Sequence, residues 1–166
     1  MLGRPVMINT EMVPAENLGV KNAKWDKKAG LKVPRDCYNS YLYRVEDTTL
    51  DFVDKFRMHG KDVLQYLDGG SAVHQSFSEI PTKGTWKKII QKAIDEGSSY
   101  WTFNVMSTCC NSCGYIDMNT RNSCVKCGST DIDYATRIIG YLKKIKSFSA
   151  ARQKEAGLRY YQKKVK

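Results

Sequence analysis

The stretch Cys109-Cys110-Asn111-Ser112-Cys113-Gly114, followed by Cys124-Val125-Lys126-Cys127-Gly128 and then Arg137-Ile138-Ile139-Gly140-Tyr141-Leu142, decides how this chain is read. Ten residues separate Cys113 of the first Cys-x-x-Cys-Gly knuckle from Cys124 of the second. In each, the two-residue gap turns both thiolates toward one ion, and the glycine permits the tight turn that aims backbone N–H groups at sulfur. Four thiolates at this spacing favour a tetrahedral Zn²⁺ held by Cys110, Cys113, Cys124 and Cys127, with iron as the lesser option. Four protein ligands leave no open coordination position, so such a site is structural rather than catalytic. The intervening segment is shorter than the roughly 15–20 residues usual between knuckles. Cys109 also offers an alternative register to Cys110. A redox dithiol is the competing reading, which two knuckles in tandem fit poorly. Cys37, far away in sequence, reads as an ordinary buried thiol.

Outward from this stretch, the composition is that of a globular domain. The 166 residues are 42% hydrophobic and 27% charged, enough to build a core and too apolar for wholesale disorder. No run of 18 apolar residues exists, which excludes an apolar membrane span, and the first residues lack a secretory apolar stretch. A reducing, cytoplasmic location is therefore expected, in which disulfides do not persist. The net charge of +10 is uneven: residues 1–108 carry +2 and residues 109–166 carry +8. A basic terminal segment suits nucleic acid, nucleotides or an acidic protein surface, and equally a solvated helix face.

Residues 1–45 read as irregular, because Pro5, Pro14 and Pro34 disfavour long helices there. Tyr38–Val45 reads as a short β-like run. A helix is expected over Thr48–Met58, capped by Asp47 or Thr48 and stopped by Gly60. A second is expected over Thr85–Glu96, where Trp86, Ile89, Ile90, Ala93 and Ile94 share one face. A strand follows over Tyr100–Met106, and a last basic helix over Ser149–Lys164. Helix followed closely by strand points to α/β architecture. With the knuckles and basic tail alone, the chain reads as a metal-ribbon module binding nucleic acid, although residues 1–106 carry no nucleic-acid motif.

The knuckle pair followed closely by Arg-x-x-Gly-Tyr-Leu at 137–142 resembles the carboxyl terminus of anaerobic (class III) ribonucleoside-triphosphate reductases, nearest to phage-type members. The resemblance extends back through Asn104, through Gly69-Gly70-Ser71-Ala72-Val73-His74, and through Asn9-Thr10-Glu11-Met12-Val13-Pro14-Ala15-Glu16, so it covers almost the whole chain. It implies the carboxyl-terminal part of a ten-stranded glycyl-radical α/β barrel: a partial barrel segment over 1–106, a zinc ribbon over 107–130, a radical loop over 131–146 and a basic helix over 147–166. It also implies that Gly140 carries the radical. Alone, Gly140 is an ordinary turn glycine. A main-chain Cα radical nevertheless demands a planar centre shared between amide and carbonyl, which any side chain would crowd, and glycine lets a tight loop enter a confined site.

In the chemistry that the resemblance implies, an S-adenosylmethionine-dependent iron–sulfur activase removes a hydrogen from Gly140. The radical passes to a cysteine on another barrel loop, that thiyl takes the ribose 3′-hydrogen, and the 2′-hydroxyl leaves as water, with formate as the usual reductant. The cysteine-bearing part, most barrel strands and the allosteric domain have no counterpart here. The expected partners are therefore an amino-terminal reductase polypeptide with the thiyl cysteine, the activase and ribonucleoside triphosphates, within a dimeric complete enzyme in the cytoplasm, the host's if phage-encoded. A split gene and a truncated chain both fit. Pro14-Ala15-Glu16-Asn17 matches a family phrase at a loop-to-helix junction, where free N–H groups attract phosphate. Ala15, Glu16 and Asn17 are thus candidate substrate contacts, or simply a helix cap. The alternatives to the enzyme part are a zinc-ribbon nucleic-acid module and a small spare-part glycyl-radical protein.

Overall fold

A computed structural model describes residues 3, 5, 7–137 and 141–163, the Glu16 side chain excepted. Two sheets stand end to end along the chain. The first is parallel, in the order β1 (Glu11–Met12), β2 (Gly70–Ser76), β3 (Tyr100–Asn104). The second is antiparallel and has the order β5 (Ile116–Asp117), β4 (Ser107–Cys110), β6 (Ile132–Arg137), β7 (Leu142–Lys144). Only Val105 and Met106 separate β3 from β4, so the two sheets are joined by a two-residue step.

Helices α2 (Phe52–His59) and α3 (Lys83–Asp95) cover one face of the parallel sheet. Phe56, Ile89 and Ala93 from the helices meet Val73, Phe77 and Val105, all nearly or fully sealed from solvent. Trp86 and Phe103 pack edge to face at 4.8 Å, and Phe56 meets Trp101 at 5.2 Å, within the range where aromatic pairs add to burial. The α3 periodicity gives a helix at the expected place, begun by the Thr82 hydroxyl accepting from the Thr85 N–H. Ile90 and Ile94 on its outer side are exposed, so the apolar face is wider than the layer it covers.

Helix α2 starts four residues later than expected. Asp51 is its cap, accepting from Val53 and Asp54 N–H groups at 2.8 and 2.9 Å, while Asp54 reaches back to the Asp51 N–H. Such a reciprocal box satisfies donors that the first helical turn orphans. Asp47 instead accepts from the Thr49 N–H and hydroxyl, a local turn that competes with helix. Gly60 ends α2 as expected, for a reason beyond backbone freedom: a Cβ there would stand 2.0 Å from the Glu96 carbonyl oxygen, where the ends of α2 and α3 abut.

Two expectations fail near the amino terminus. Residues 16–28 form the thirteen-residue helix α1 (Glu16–Lys28), and Tyr38–Val45 forms no strand. The helix runs between Pro14 and Pro34 without containing either, so the prolines bound it rather than break it. It packs against α4 (Ala150–Leu158) through small residues: Gly19, Val20 and Ala23 are buried. A Cβ at Gly19 would lie 3.0 Å from Arg152 Nη2 and 3.1 Å from the Tyr38 carbonyl, so the close approach depends on that glycine. Tyr38–Val45 lies as an irregular layer on the other face of the parallel sheet, with Tyr41 and Tyr43 stacked at 5.4 Å over His74 and His59. The last helix is shorter than expected, because the chain leaves α4 after Leu158. Gln162 then pairs with the end of β2, its N–H donating to the Ser76 carbonyl at 2.9 Å and its carbonyl accepting from Ser78 N–H at 3.0 Å.

Candidate functional site

The two knuckles are built alike. Gly114 and Gly128 take φ of 72° and 74°, a left-handed conformation that favours glycine, and their N–H groups donate to the Cys110 and Cys124 carbonyls. In each knuckle the first cysteine's N–H closes the turn, on the Tyr115 carbonyl in one and the Ser129 carbonyl in the other, at 2.9 and 2.8 Å. The Sγ atoms of Cys110, Cys113, Cys124 and Cys127 all lie within 4.8 Å of one another, with Cys110–Cys127 and Cys113–Cys124 at 3.6 Å. A tetrahedron with metal–sulfur bonds of about 2.3 Å has edges of about 3.8 Å, so this cage fits one thiophilic ion. Ten residues suffice between the knuckles because β5 turns straight back on β4.

The electrostatics of the four thiols fit a cation at the centre of the cage. Cys110 is held down to about 6, chiefly by the Cys113 N–H aimed at its sulfur. Cys127 is pushed up to about 12: the Ser129 N–H opposes this, but the neighbouring sulfurs of Cys113 and Cys110 outweigh it. Four sulfurs this close become thiolates together only around a positive charge. Cys109 is not part of the cage. Strand alternation in β4 turns it to the opposite face from Cys110, where it is buried and its thiol is raised by burial. Cys37 is likewise a buried thiol, 3.9 Å from the Ala151 carbonyl of α4.

Beyond the cage, β6 runs to Arg137 and β7 restarts at Leu142, which pair with each other, so residues 138–141 connect the two strands. Gly140 lies outside the described residues, as does the Glu16 side chain. The base of this connection is bolted to the parallel sheet by Asn104 at the end of β3. Its side chain is fully buried. Its Oδ1 accepts from the Thr136 hydroxyl and the Arg137 N–H, both at 2.9 Å, and its Nδ2 donates to Ser76 Oγ at 3.4 Å. Truncating Asn104 to alanine orphans those donors. The expected cost is roughly 2–4 kcal/mol, as a lower urea midpoint at unchanged slope. A midpoint within error of the unaltered chain would show that the network is not structural.

Ala15 is the N-cap of α1. Its N–H donates to the Ser40 carbonyl at 3.2 Å, and among the described residues no side chain caps the helix. Asn17 is exposed and lines a cavity of about 210 Å³ that also touches Ser40, Arg137, Tyr141, Arg152 and Arg159. The candidate phosphate-binding turn and the flanks of Gly140 thus face one space. Nothing in the sequence marks Arg152 and Arg159 as site residues, because there they are indistinguishable from the surrounding lysines. In the fold they turn inward, whereas much of the tail's charge is paired: Lys144 and Lys146 with Asp133, and Lys154 with Asp36, whose carboxyl falls to about 2, mainly through Lys154. The excess of +8 therefore does not present one open basic face.

His59 and His74 are buried beneath the tyrosine layer, and burial holds both rings down to about 4, with Arg159 and Arg137 adding to the effect at His74. An unfolded histidine near 6.5 binds a proton that these folded rings refuse, so this contribution to stability is lost as pH falls from about 6.5 toward 4. Ring-proton NMR titration should place both midpoints near 4. Midpoints above 6 would mean that the rings are solvated.

None of the described helices is long and apolar enough to cross a membrane. Among curated proteins, none matches the chain. Solved structures do. An anaerobic ribonucleotide reductase overlays with a TM-score of 0.81 at 26% identity, over 95% of this chain and 25% of its own. The Thermotoga maritima enzyme in complex with dATP and CTP overlays at 0.74 with 27% identity, over 90% of this chain and 24% of its own. The same enzyme with MES in its active site gives 0.72 at 27% identity, over 85% and 23%. The chain therefore spans about a quarter of the length of these enzymes. The family model for anaerobic ribonucleoside-triphosphate reductase matches residues 4–161, nearly the whole chain, and the chain belongs to that family.

Proposed function

We propose that this chain is the glycyl-radical part of an anaerobic ribonucleoside-triphosphate reductase, working with a separate polypeptide that supplies the thiyl cysteine and the remaining barrel strands. The observation that carries this reading is the shared cavity: Arg137 and Tyr141, on either side of Gly140, line the same space as Pro14 and Asn17 of the candidate phosphate-binding turn. Gly140 is the radical residue, activated by an S-adenosylmethionine iron–sulfur enzyme. Ala15, Glu16 and Asn17 meet the substrate's phosphates at the α1 start, where the N–H groups of the first turn and the helix dipole favour negative charge. The four cysteines hold a structural Zn²⁺ that fixes the base of the radical-bearing connection, and Asn104 fixes its other side. Ribonucleotides become deoxyribonucleotides in the joined enzyme, with formate as reductant, in the cytoplasm and as a dimer.

The domain limits proposed are a partial barrel over 1–106, the ribbon over 107–130, the radical connection over 131–146 and the carboxyl-terminal segment over 147–166. The nucleic-acid alternative loses support from the inward turn of Arg152 and the internal pairing of Lys144, Lys146 and Lys154. The test is turnover. The chain alone is expected to reduce no nucleotide, and activity should appear when the cysteine-bearing polypeptide and the activase are supplied anaerobically. Turnover by the chain alone would end the two-polypeptide reading. If the partner is instead a full-length reductase with a damaged glycine, the spare-part reading holds.

A further inference from the structure

Strand β4 begins short of the place where β6 ends. Their pairing closes with Ser107 opposite Ala135, so Thr136 and Arg137, the last two residues of β6, run past β4 with β7 on their other side. Side chains take over on the β4 side, and they converge on one atom. Thr136 is fully buried, and its hydroxyl donates to Asn104 Oδ1 at 2.9 Å. That bond uses the only proton the hydroxyl has and leaves two lone pairs. Arg159 Nη1 donates to the same oxygen at 3.2 Å. The Tyr161 hydroxyl lies at 3.4 Å from it and is left with the donor's part. Thr136 Oγ1 is therefore used to its full capacity, and two of its three partners come from the segment that follows α4. Arg137, the next residue, has its N–H on Asn104 Oδ1 and its guanidinium 5.8 Å from the centre of the Phe103 ring of β3.

The segment after α4 is held as a strap. Tyr160 N–H donates to the Val45 carbonyl at 2.8 Å, Gln162 N–H donates to the Ser76 carbonyl at 2.9 Å, and the Gln162 carbonyl accepts from Ser78 N–H at 3.0 Å. The backbone of Tyr160 and Gln162 is thus spent on the tyrosine layer and on the end of β2. Alternation along an extended chain sends Arg159 and Tyr161 to one side, where both reach Thr136. A β-branched side chain has few rotamers, so an oxygen fixed by three partners also fixes the main chain that carries it. We propose that Arg159 and Tyr161 are positioning residues: through Thr136 they set the direction in which β6 enters the Gly140 connection, and so align that connection for radical transfer. A strap that only stabilised the chain would have no reason to spend two side chains on one hydroxyl of β6. The proposal rests on the glycyl-radical reading for what the connection does, whereas the hold on β6 is a property of the chain by itself.

The test starts with amide hydrogen exchange on the anaerobically prepared, zinc-loaded chain. Arg159→Met removes the guanidinium and keeps an apolar stem, and it should speed exchange of the Arg137 N–H by about tenfold or more. Tyr161→Phe removes one oxygen and should speed it roughly threefold. The amides that pair β2 with β3 should not change in either variant. With the cysteine-bearing polypeptide and the activase, Arg159→Met should still give the radical signal. Its turnover per radical should fall by about tenfold or more at unchanged KM, since a displacement on the order of 1 Å at a reacting centre suffices for that. Arg159→Lys, which returns a cationic donor, should recover most of the loss. Unchanged exchange at Arg137 in both variants would overturn the proposal, as would normal turnover per radical. A speed-up spread evenly over β2, β3 and β6 would also overturn it, because that is lost stability and not lost position. If Arg159→Met does not fold, Tyr161→Phe carries both measurements. Selective exchange at Arg137 with no radical in the unaltered chain would overturn the glycyl-radical reading and leave the hold on β6 standing, so the two failures are read separately.

Discussion

Gly140→Ala, activated anaerobically beside the unaltered chain, is expected to give no doublet radical signal in electron paramagnetic resonance and no nucleotide reduction above background. The unaltered chain with its partner and activase should give both. The reason is local. Removing a hydrogen from a glycine Cα leaves a centre that flattens and shares its spin with the flanking amide and carbonyl. An alanine methyl would crowd that plane. The same variant separates the radical reading from a purely structural role, because a turn glycine changed to alanine alters stability without abolishing a spectroscopic signal. Air supplies a second readout: oxygen should cleave the activated chain at position 140, giving two fragments by mass, and should leave Gly140→Ala intact. An activated, signal-bearing Gly140→Ala would place the radical elsewhere.

Metal removal is expected to have the largest effect on stability. Carefully reduced protein should bind about one zinc ion per chain, as one four-thiolate site requires. Structural zinc in small ribbons is worth an apparent 10–16 kcal/mol at neutral pH, because the ligands are assembled only in the folded state. Between β4 and β6, which pair with each other over four residues, the chain of the knuckles is held mainly by short turns and by the pairing of β5 with β4 over two residues. Chelation, or Cys113→Ser with Cys127→Ser, should therefore abolish amide protection over residues 111–131. The parallel sheet under α2 and α3 has its own apolar core and should persist. Protection that survives chelation unchanged, or reduced protein without bound metal, would remove the ribbon from the account. Loss of the ribbon should also lower radical yield, since β4 and β6 carry the residues that pin the base of the Gly140 connection.

The elements legible in the sequence are those whose signal is local. The two Cys-x-x-Cys-Gly knuckles need only their own spacing and the left-handed glycines Gly114 and Gly128. Helix α3 has an apolar face that repeats at the helical period. Helix α1 is not legible in the sequence because it buries only small residues and shows Leu18 and Trp25 to solvent, so no apolar stripe marks it. Strand β2, Gly70-Ser-Ala-Val-His-Gln-Ser76, has a single β-branched residue. It is a strand because β1 and β3 pair on either side and both faces are covered. The tyrosine run at 38–43 has strand-like composition, but it stacks over the buried histidines instead of joining a sheet.

The sequence by itself determined the thiolate cage, the α/β character and, through the Arg-x-x-Gly-Tyr-Leu motif, the family resemblance, because each is written in residue types at short fixed spacings. Tertiary structure alone decided that Asn104 clamps Thr136 and Arg137, that Cys109 faces away from the cage, and that Arg152 turns inward while its lysine neighbours pair on the surface. These outcomes depend on which segments meet across gaps of 30 to more than 100 residues, and a charge or an amide carries no local mark of the partner it will find when the chain closes.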